Sequence, residues 1–321
     1  MKMTYLARPQ PGCKPESNTI AWADVERLTR NQLGRTIRST CPICSEHRSP
    51  ANRRARCFAV RLKDPDFAIF NCLNCGISGH VRPDTPSRVI DFAEQQRLRN
   101  EARRRDEDDR AERTESALRV WKQRRPFRGS PAEDYLHYTR GIGDWLDVFP
   151  YLDEAFGFHP KCTFGSDRLP CMLALVRDIQ TDAEIGIHRT ALGSGPRPGR
   201  IGRKSLGPIG GGAIKISPDH DVTTGLLVGE GIETVLSASA LLSFRPIWSL
   251  IDKGNLAKFP VLPGIECLTV AADNDSNGTG QAAAAECAER WNTAGREVIS
   301  TKTTLAKDFN DAIRGQKNDR L

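Results

Sequence analysis

The chain has 321 residues, long enough for two or three modules with cores of their own. Lys and Arg outnumber Asp and Glu by 47 to 40, and the resulting charge of +7 favours a polyanionic partner. The start, MKMTYLARPQPG, lacks the apolar run of a secretory signal, and no stretch approaches the roughly twenty apolar residues that span a bilayer. A cytoplasmic protein with no membrane partner is expected.

Residues 19–33 place Ile20, Trp22, Val25, Leu28 and Leu33 at helical spacing, a short amphipathic helix. Two cysteine pairs follow, Cys41-Pro-Ile-Cys44 and Cys72-Leu-Asn-Cys75, with 27 residues between them. Tight pairs in a cytosolic chain point to metal rather than to disulfides, and four thiolates suit a tetrahedral, structural zinc. Cys57–Leu62 and Phe67–Phe70 read as the two strands of a hairpin, with Cys57 inside a strand. His47 and His80 read as solvated or packing side chains. Arg53, Arg54, Arg56, Arg61 and Lys63 could meet a nucleic-acid backbone, while Phe58, Phe67 and Phe70 either stack on bases or fill the ribbon's small core.

Between Pro86 and Pro126 the composition turns to mixed charge, RLRNEARRRDEDDRAER, which predicts a long solvated helix linking two modules. Residues 129–218 read as an α/β or α+β segment, with a helix over 132–140 and paired strands over 170–176 and 183–189. A Gly- and Arg-rich loop, GSGPRPGRIGRKSLGPIGGG, comes next. It lacks the Gly-Lys-Ser or Gly-Lys-Thr of a Walker A loop, so no ATPase motor is expected from it.

The C-terminal third carries the clearest chemistry. LLVGEGIETVLSASA (226–240) and CLTVAADNDSNGTG (267–280) each begin as an apolar strand and end in carboxylates, Glu230 in the first and Asp273 and Asp275 in the second. Parallel α/β sheets bind ligands at the carboxyl ends of their strands. Asp273 and Asp275, one residue apart, can face the same side on leaving an extended strand. Mg2+ takes oxygen ligands of this kind, usually one or two carboxylates with water and substrate phosphate. Helices are expected from Glu233 to about Leu242 and from Gly280 to Ala294, and strands over 247–251 and 297–300.

GEGIET followed by the Asp-Asn-Asp of AADNDSNG resembles the Toprim domain, shared by bacterial-type DNA primases, topoisomerases, some nucleases and RecR-type recombination proteins. CPIC and CLNCGISGH resemble the zinc ribbon at the front of bacterial and phage primases, many of which have a histidine where this chain has Cys44. The His-Arg-Thr strand and the Lys shortly before Leu-Gly-Pro are similar to segments preceding the Toprim domain in primase-like proteins of phages, plasmids and integrated elements. That resemblance implies that Arg189, Arg203 and Lys204 form a basic wall for template or nucleotide phosphates. Lys307-Asp308-Phe309-Asn310-Asp311 resembles the third acidic motif of primase Toprim domains, with Asp308 matching an acid. Asn310 and Thr234 stand where replicative primases often have further acids; Glu233 either compensates or only caps and solvates its helix.

The resemblance implies four modules: an N-terminal helix and zinc ribbon (1–85), a charged helical linker (86–127), an α+β primase-like subdomain (128–220) and a Toprim domain with a Rossmann-like parallel sheet (221–321). It further implies an enzyme that makes short RNA primers on single-stranded DNA from nucleoside triphosphates in phage or mobile-element replication. Glu230, Asp273 and Asp275 would hold Mg2+, Asp308 would complete the catalytic acids, and Cys41, Cys44, Cys72 and Cys75 would hold zinc. The chain carries no helicase motif, so a separate helicase is an expected partner. Two other classes stay open: a non-catalytic zinc and Toprim scaffold resembling RecR, and a Toprim nuclease.

Overall fold

The computed structural model describes residues 20–46, 48, 50–83, 92–272, 278–301 and 308–318. The chain divides into two compact units, Met1–Asp109 and Arg110–Leu321.

In the first unit, helix α1 (Trp22–Thr29) packs on a four-stranded antiparallel sheet, β1 (Thr36–Ser39), β2 (Phe58–Asp64), β3 (Phe67–Cys72) and β4 (Ser78–Val81), in that order. The expected hairpin is β2 and β3; β1 and β4 flank it. Helix α1 ends earlier than its apolar spacing suggests because Arg30 and Asn31 adopt positive φ, closing the helix in a left-handed turn. Phe58, Val60, Leu62, Phe70 and Ile77 form a small core beside Cys41 and Cys72. Phe58 and Phe70 are buried there. Phe67 instead lies beside His80, at 5.5 Å between ring centroids, with the Arg82 guanidinium 4.8 Å from its ring.

Helix α2 (Phe92–Lys122) is the long charged helix expected from composition. It is built into each unit at its ends. Arg99 pairs with Asp64 at 2.8 Å and Arg61 with Asp106, while Ala117 and Trp121 enter a core of the second unit with Phe164, Leu173 and Ile187. The exposed pairs along it, such as Arg119–Glu115 at 2.9 Å, each contribute only a few tenths of a kcal/mol at about one helical turn's spacing.

In the second unit, short helices α3 (Pro131–Asp134) and α4 (Leu152–Ala155) bracket a π turn (Tyr135–Thr139) and a 3-10 turn (Gly143–Val148). Nine strands then form one mixed sheet, in the order β13-β12-β10-β11-β9-β6-β7-β8, with β5 paired to β6. These are β5 (Phe156–Phe164), β6 (Asp167–Asp178), β7 (Glu184–Leu192), β8 (Arg200–Leu206), β9 (Gly212–Lys215), β10 (Gly225–Gly229), β11 (Ile247–Ser249), β12 (Cys267–Ala271) and β13 (Glu297–Thr301). Strands β11, β10, β12 and β13 are parallel; β9 joins them antiparallel to the rest. A single sheet thus runs through both the α+β stretch and the C-terminal stretch. The Gly- and Arg-rich segment expected as a loop forms β8 and the start of β9. Its charged side chains suit an edge strand, whose outer side is solvated.

Helices α5 (Ile232–Leu242) and α8 (Phe309–Asn318) cover one face of the parallel half, and α6 (Lys253–Ala257) and α7 (Thr279–Thr293) the other. Leu227 packs with Val235, Leu236 and Phe309, whereas Leu226 and Val228 pack with Trp248, Ala284 and Trp291. Burial on both faces is what makes β10 a continuous apolar run. No helix among the described residues is long and apolar enough to cross a membrane.

Candidate functional site

Strand β10 delivers Glu230 to the carboxyl end of the parallel strands. Gly229 lies opposite Ser249 on one side and Ala271 on the other, and a Cβ at Gly229 would meet Val235 at 2.9 Å and the Ala271 carbonyl at 3.0 Å. Only glycine allows this close approach. The Glu230 backbone is pinned, because the Ser249 hydroxyl donates to its carbonyl at 3.0 Å and the Leu250 N–H to that of Gly229 at 2.8 Å. Its side chain is half-buried. The neighbouring strand β12 ends at Ala271, level with Gly229, two residues before Asp273. Asp273 and Asp275 lie outside the described residues.

Asp308 opens α8, and its carboxylate accepts from the Asp311 N–H at 2.7 Å as an N-terminal cap. Asp252, which follows β11, shares the edge and caps α6 through the Asn255 N–H at 2.9 Å. The sequence signal that marks Glu230 and Asp273, an apolar strand followed by an acid, also marks Asp252.

Glu233 does not solvate its helix. It is about 5% exposed, and its carboxylate is enclosed by the Tyr135 hydroxyl at 2.6 Å and by Arg200, Arg203 and Arg140 at 3.4, 3.6 and 3.9 Å. Burial pushes this carboxyl up, but Arg203, the Tyr135 hydroxyl and Arg140 outweigh it and hold it below the usual range. The same burial, with the carboxylate beside it, pushes the Tyr135 phenol up, so it stays a donor.

Strand alternation separates the three expected wall residues. Thr190 faces Arg203 across the β7–β8 pair, and Arg189 faces Lys204, so Arg203 points to one side of the sheet and Arg189 and Lys204 to the other. Only Arg203 reaches the Glu233 cluster. Arg189 is buried, and its guanidinium donates to the carbonyls of Thr163 and, at 3.2 Å, Ser205. Lys204 is exposed, with its ammonium 4.8 Å from the Phe164 ring.

His188 lies on the Arg203 side, with its Nδ1 at 3.1 Å from the Ser205 hydroxyl. Burial, reinforced by Arg203, lowers its pKa from 6.5 to about 4. Below pH 6.5 the unfolded chain takes up a proton that the folded chain refuses, so this contribution is complete above that pH and is lost as pH falls toward 4. Its loss amounts to ~2 kcal/mol at pH 5. Thermal unfolding of the wild type is expected to show this drop between pH 7 and pH 5, and His188→Gln to flatten it.

Asn310 is 2% exposed and ties α8 to its neighbours: its amide donates to the Arg140 carbonyl at 2.6 Å and to the Ser237 hydroxyl at 3.0 Å. An acid here would set a carboxylate against that carbonyl. Asn310→Asp is therefore expected to lower stability by about 2–4 kcal/mol in urea unfolding. Thr234, the other position where replicative primases carry an acid, is also buried.

In the first unit, Cys41, Cys44, Cys72 and Cys75 bring their sulfurs within 4.8 Å of one another. The Cys41–Cys75 and Cys44–Cys72 pairs are 3.9 and 3.8 Å apart. Four thiolates about 2.3 Å from a tetrahedral zinc lie about 3.8 Å apart, so the cluster can bind zinc. Gly76, at φ +74°, turns the chain beyond the second pair so that its N–H reaches the Cys72 carbonyl at 3.0 Å. Burial raises the Cys44 thiol, yet the Asn74 amide and the surrounding thiols bring it down to about 7. Cys57, expected inside a strand, precedes β2 and borders the cluster. Its sulfur is 3.5 Å from that of Cys72 and accepts from Arg48 at 2.8 Å. His80 is exposed, and His47 lies outside the described residues.

Residues 225–319 match the Toprim domain family, and residues 111–216 match a domain of unknown function (DUF7146). No curated protein matches the chain. Among solved structures, the primase fragment of the bacteriophage T7 primase-helicase protein is similar at 19% identity and a TM-score of 0.40, over 58% of this chain and 71% of that one. One chain of the structure of bacteriophage T7 lagging-strand DNA polymerase interacting with primase domains of two gp4 subunits bound to an RNA/DNA hybrid and dTTP is similar at 17% identity and a TM-score of 0.35, over 52% of this chain and 80% of that one.

Proposed function

We propose that this chain, which carries a Toprim domain behind a four-cysteine cluster able to bind zinc, is a primase-type nucleotidyltransferase that makes short RNA primers on single-stranded DNA. The observation that carries the reading is the carboxyl edge of β10. There a half-buried Glu230 stands at the start of α5, and Arg203 and Arg200 converge on the same turn. Glu230, with Asp273 and Asp275 following the adjacent strand, is a hard oxygen donor set of the kind Mg2+ takes. The ion, when bound, supplies charge neutralisation and orientation of the triphosphate.

The chain's own residues bind and orient. Glu230 is held by its pinned backbone; Arg200 and Arg203 bind phosphate oxygens; the carboxylates are ligands rather than bases. Asp308 serves as the cap of α8 and supports the edge from there. The ribbon would hold the single-stranded template, a separate helicase would open duplex DNA, and phage or mobile-element replication is the setting this arrangement suits.

One observation favours a second reading. Asn310 and Thr234 are buried non-acids where replicative primases often have carboxylates, which is compatible with a non-catalytic scaffold resembling RecR. The test is to incubate the zinc-loaded full chain with Mg2+, labelled nucleoside triphosphates and a pool of single-stranded templates. Short oligomers are the expected product. Intact template binding with neither oligomers nor DNA cleavage would replace the primase by the scaffold, and cleavage without nucleotides would make the protein a Toprim nuclease.

A further inference from the structure

We infer that Glu233 is a positioning residue: its buried carboxylate, enclosed by guanidiniums, holds Arg200 and Arg203 at the start of α5 so that they grip the terminal phosphates of a nucleoside triphosphate. This rests on the nucleotide-binding part of the proposed function.

A buried carboxylate costs several kcal/mol unless it is paired and hydrogen-bonded. Here the partners are more than enough, because three guanidiniums meet one carboxylate and two positive charges remain. The cluster has an inner and an outer half. Tyr135 is fully buried and Arg140 is 20% exposed, while the Arg200 and Arg203 side chains are 34% and 41% exposed. A guanidinium has five N–H donors, so those of the outer pair that do not face Glu233 can serve a ligand.

Strand β8 is shaped for this convergence. Arg200 and Arg203 are an odd number of residues apart and would alternate to opposite faces of a regular strand. The β7–β8 register shifts between Leu192, which faces Arg200, and Ala191, which faces Gly202. The extra residue, Ile201, is exposed, and the bulge brings Arg200 to the Arg203 side.

The helix start completes the site. Gly231, the N-cap of α5, offers no side-chain cap, and the positive end of the helix dipole favours a phosphate. A Cβ at Gly231 would lie 3.7 Å from the Arg203 Nη1 and 3.8 Å from the Glu233 Oε2, so guanidinium, carboxylate and helix start border one space.

The test measures equilibrium binding of inorganic tripolyphosphate to the zinc-loaded full chain without Mg2+. Glu233→Asp keeps the charge but withdraws it by one methylene, and Tyr135→Phe keeps the charge but releases its rotamer. Glu233→Asp is expected to weaken binding about tenfold and Tyr135→Phe about threefold, and Glu233→Asp is expected to have little further effect once Arg203→Gln is present. Tripolyphosphate affinity unchanged in both charge-conserving variants, or full additivity with Arg203→Gln, would overturn the inference. Should Glu233→Asp fail to fold, the near-isosteric Tyr135→Phe still decides. Primers made by a wild type whose variants bind tripolyphosphate equally well would refute the inference alone. Weakened binding in a protein that makes no primers would refute only the primase reading.

Discussion

Glu230→Gln and Asp273→Asn are each expected to reduce primer synthesis roughly a thousandfold, about 4 kcal/mol of transition-state stabilisation. Phosphoryl transfer leaves a protein little covalent work; positioning and charge neutralisation supply the rate. The amide variants keep shape and remove the charge that holds a hard cation. Glu230 has no evident substitute, because Glu233, the nearest other acid in its motif, is enclosed by three arginines and a tyrosine. Asp308 is engaged by the Asp311 N–H. Glu230 is half-buried at a strand end rather than in the core, so Glu230→Gln should unfold at the wild-type temperature. Primer yields within threefold of wild type in both variants, measured at saturating template, would remove the metal assignment and with it the primase. Loss of Mg2+ binding without loss of template binding is the expected companion result.

The C-terminal motifs were legible because a parallel strand buried on both faces writes itself as an apolar run, and glycine marks the turn that follows. Leu226–Val228 and Leu268–Val270 are such runs, and both are strands. Strand β8 was not legible for the opposite reason. RIGRKSL is exposed along most of its length, so its composition is that of a loop and only pairing with β7 makes it a strand. The three expected wall residues show what spacing alone hides: neighbours in sequence, Arg203 and Lys204 point to opposite faces, and the partner of Arg203 is an acid on another element. Tyr135 meets Glu233 across 98 residues of sequence, a distance no local pattern reports. The four-cysteine cluster was legible from its spacing. Cys57 was not, because its approach to Cys72 depends on the β2–β3 register, in which Phe58 lies opposite Cys72.

Removing zinc is expected to unfold the first unit and leave the second intact. Cys41 and Cys72 are themselves part of the core, packed with Phe58, Val60, Leu62, Phe70 and Ile77, so a bound zinc and the apolar cluster would be one structure. A core this small buries too little to fold unaided, and structural zinc contributes about 10–16 kcal/mol in domains of similar size. Without the ion, four sulfurs within 4.8 Å are held by weak contacts among themselves and by N–H bonds from Arg48, Asn74 and the Cys44 backbone, and as thiolates they repel. Calorimetry of the full chain with a zinc chelator should therefore lose the transition of Met1–Asp109 and keep that of Arg110–Leu321. Proteolysis should cut preferentially between Cys41 and Cys75. Cys41→Ser should reproduce the loss, because it removes both a ligand and a fully buried core atom. Cys57→Ser should not: it should retain one zinc per chain, since the remaining four sulfurs already have tetrahedral spacing and Arg48 also donates to Cys44 at 3.3 Å. A chelated protein that keeps both transitions would show the cluster to be four buried thiols, and a Cys57→Ser protein without zinc would place the fifth cysteine among the ligands.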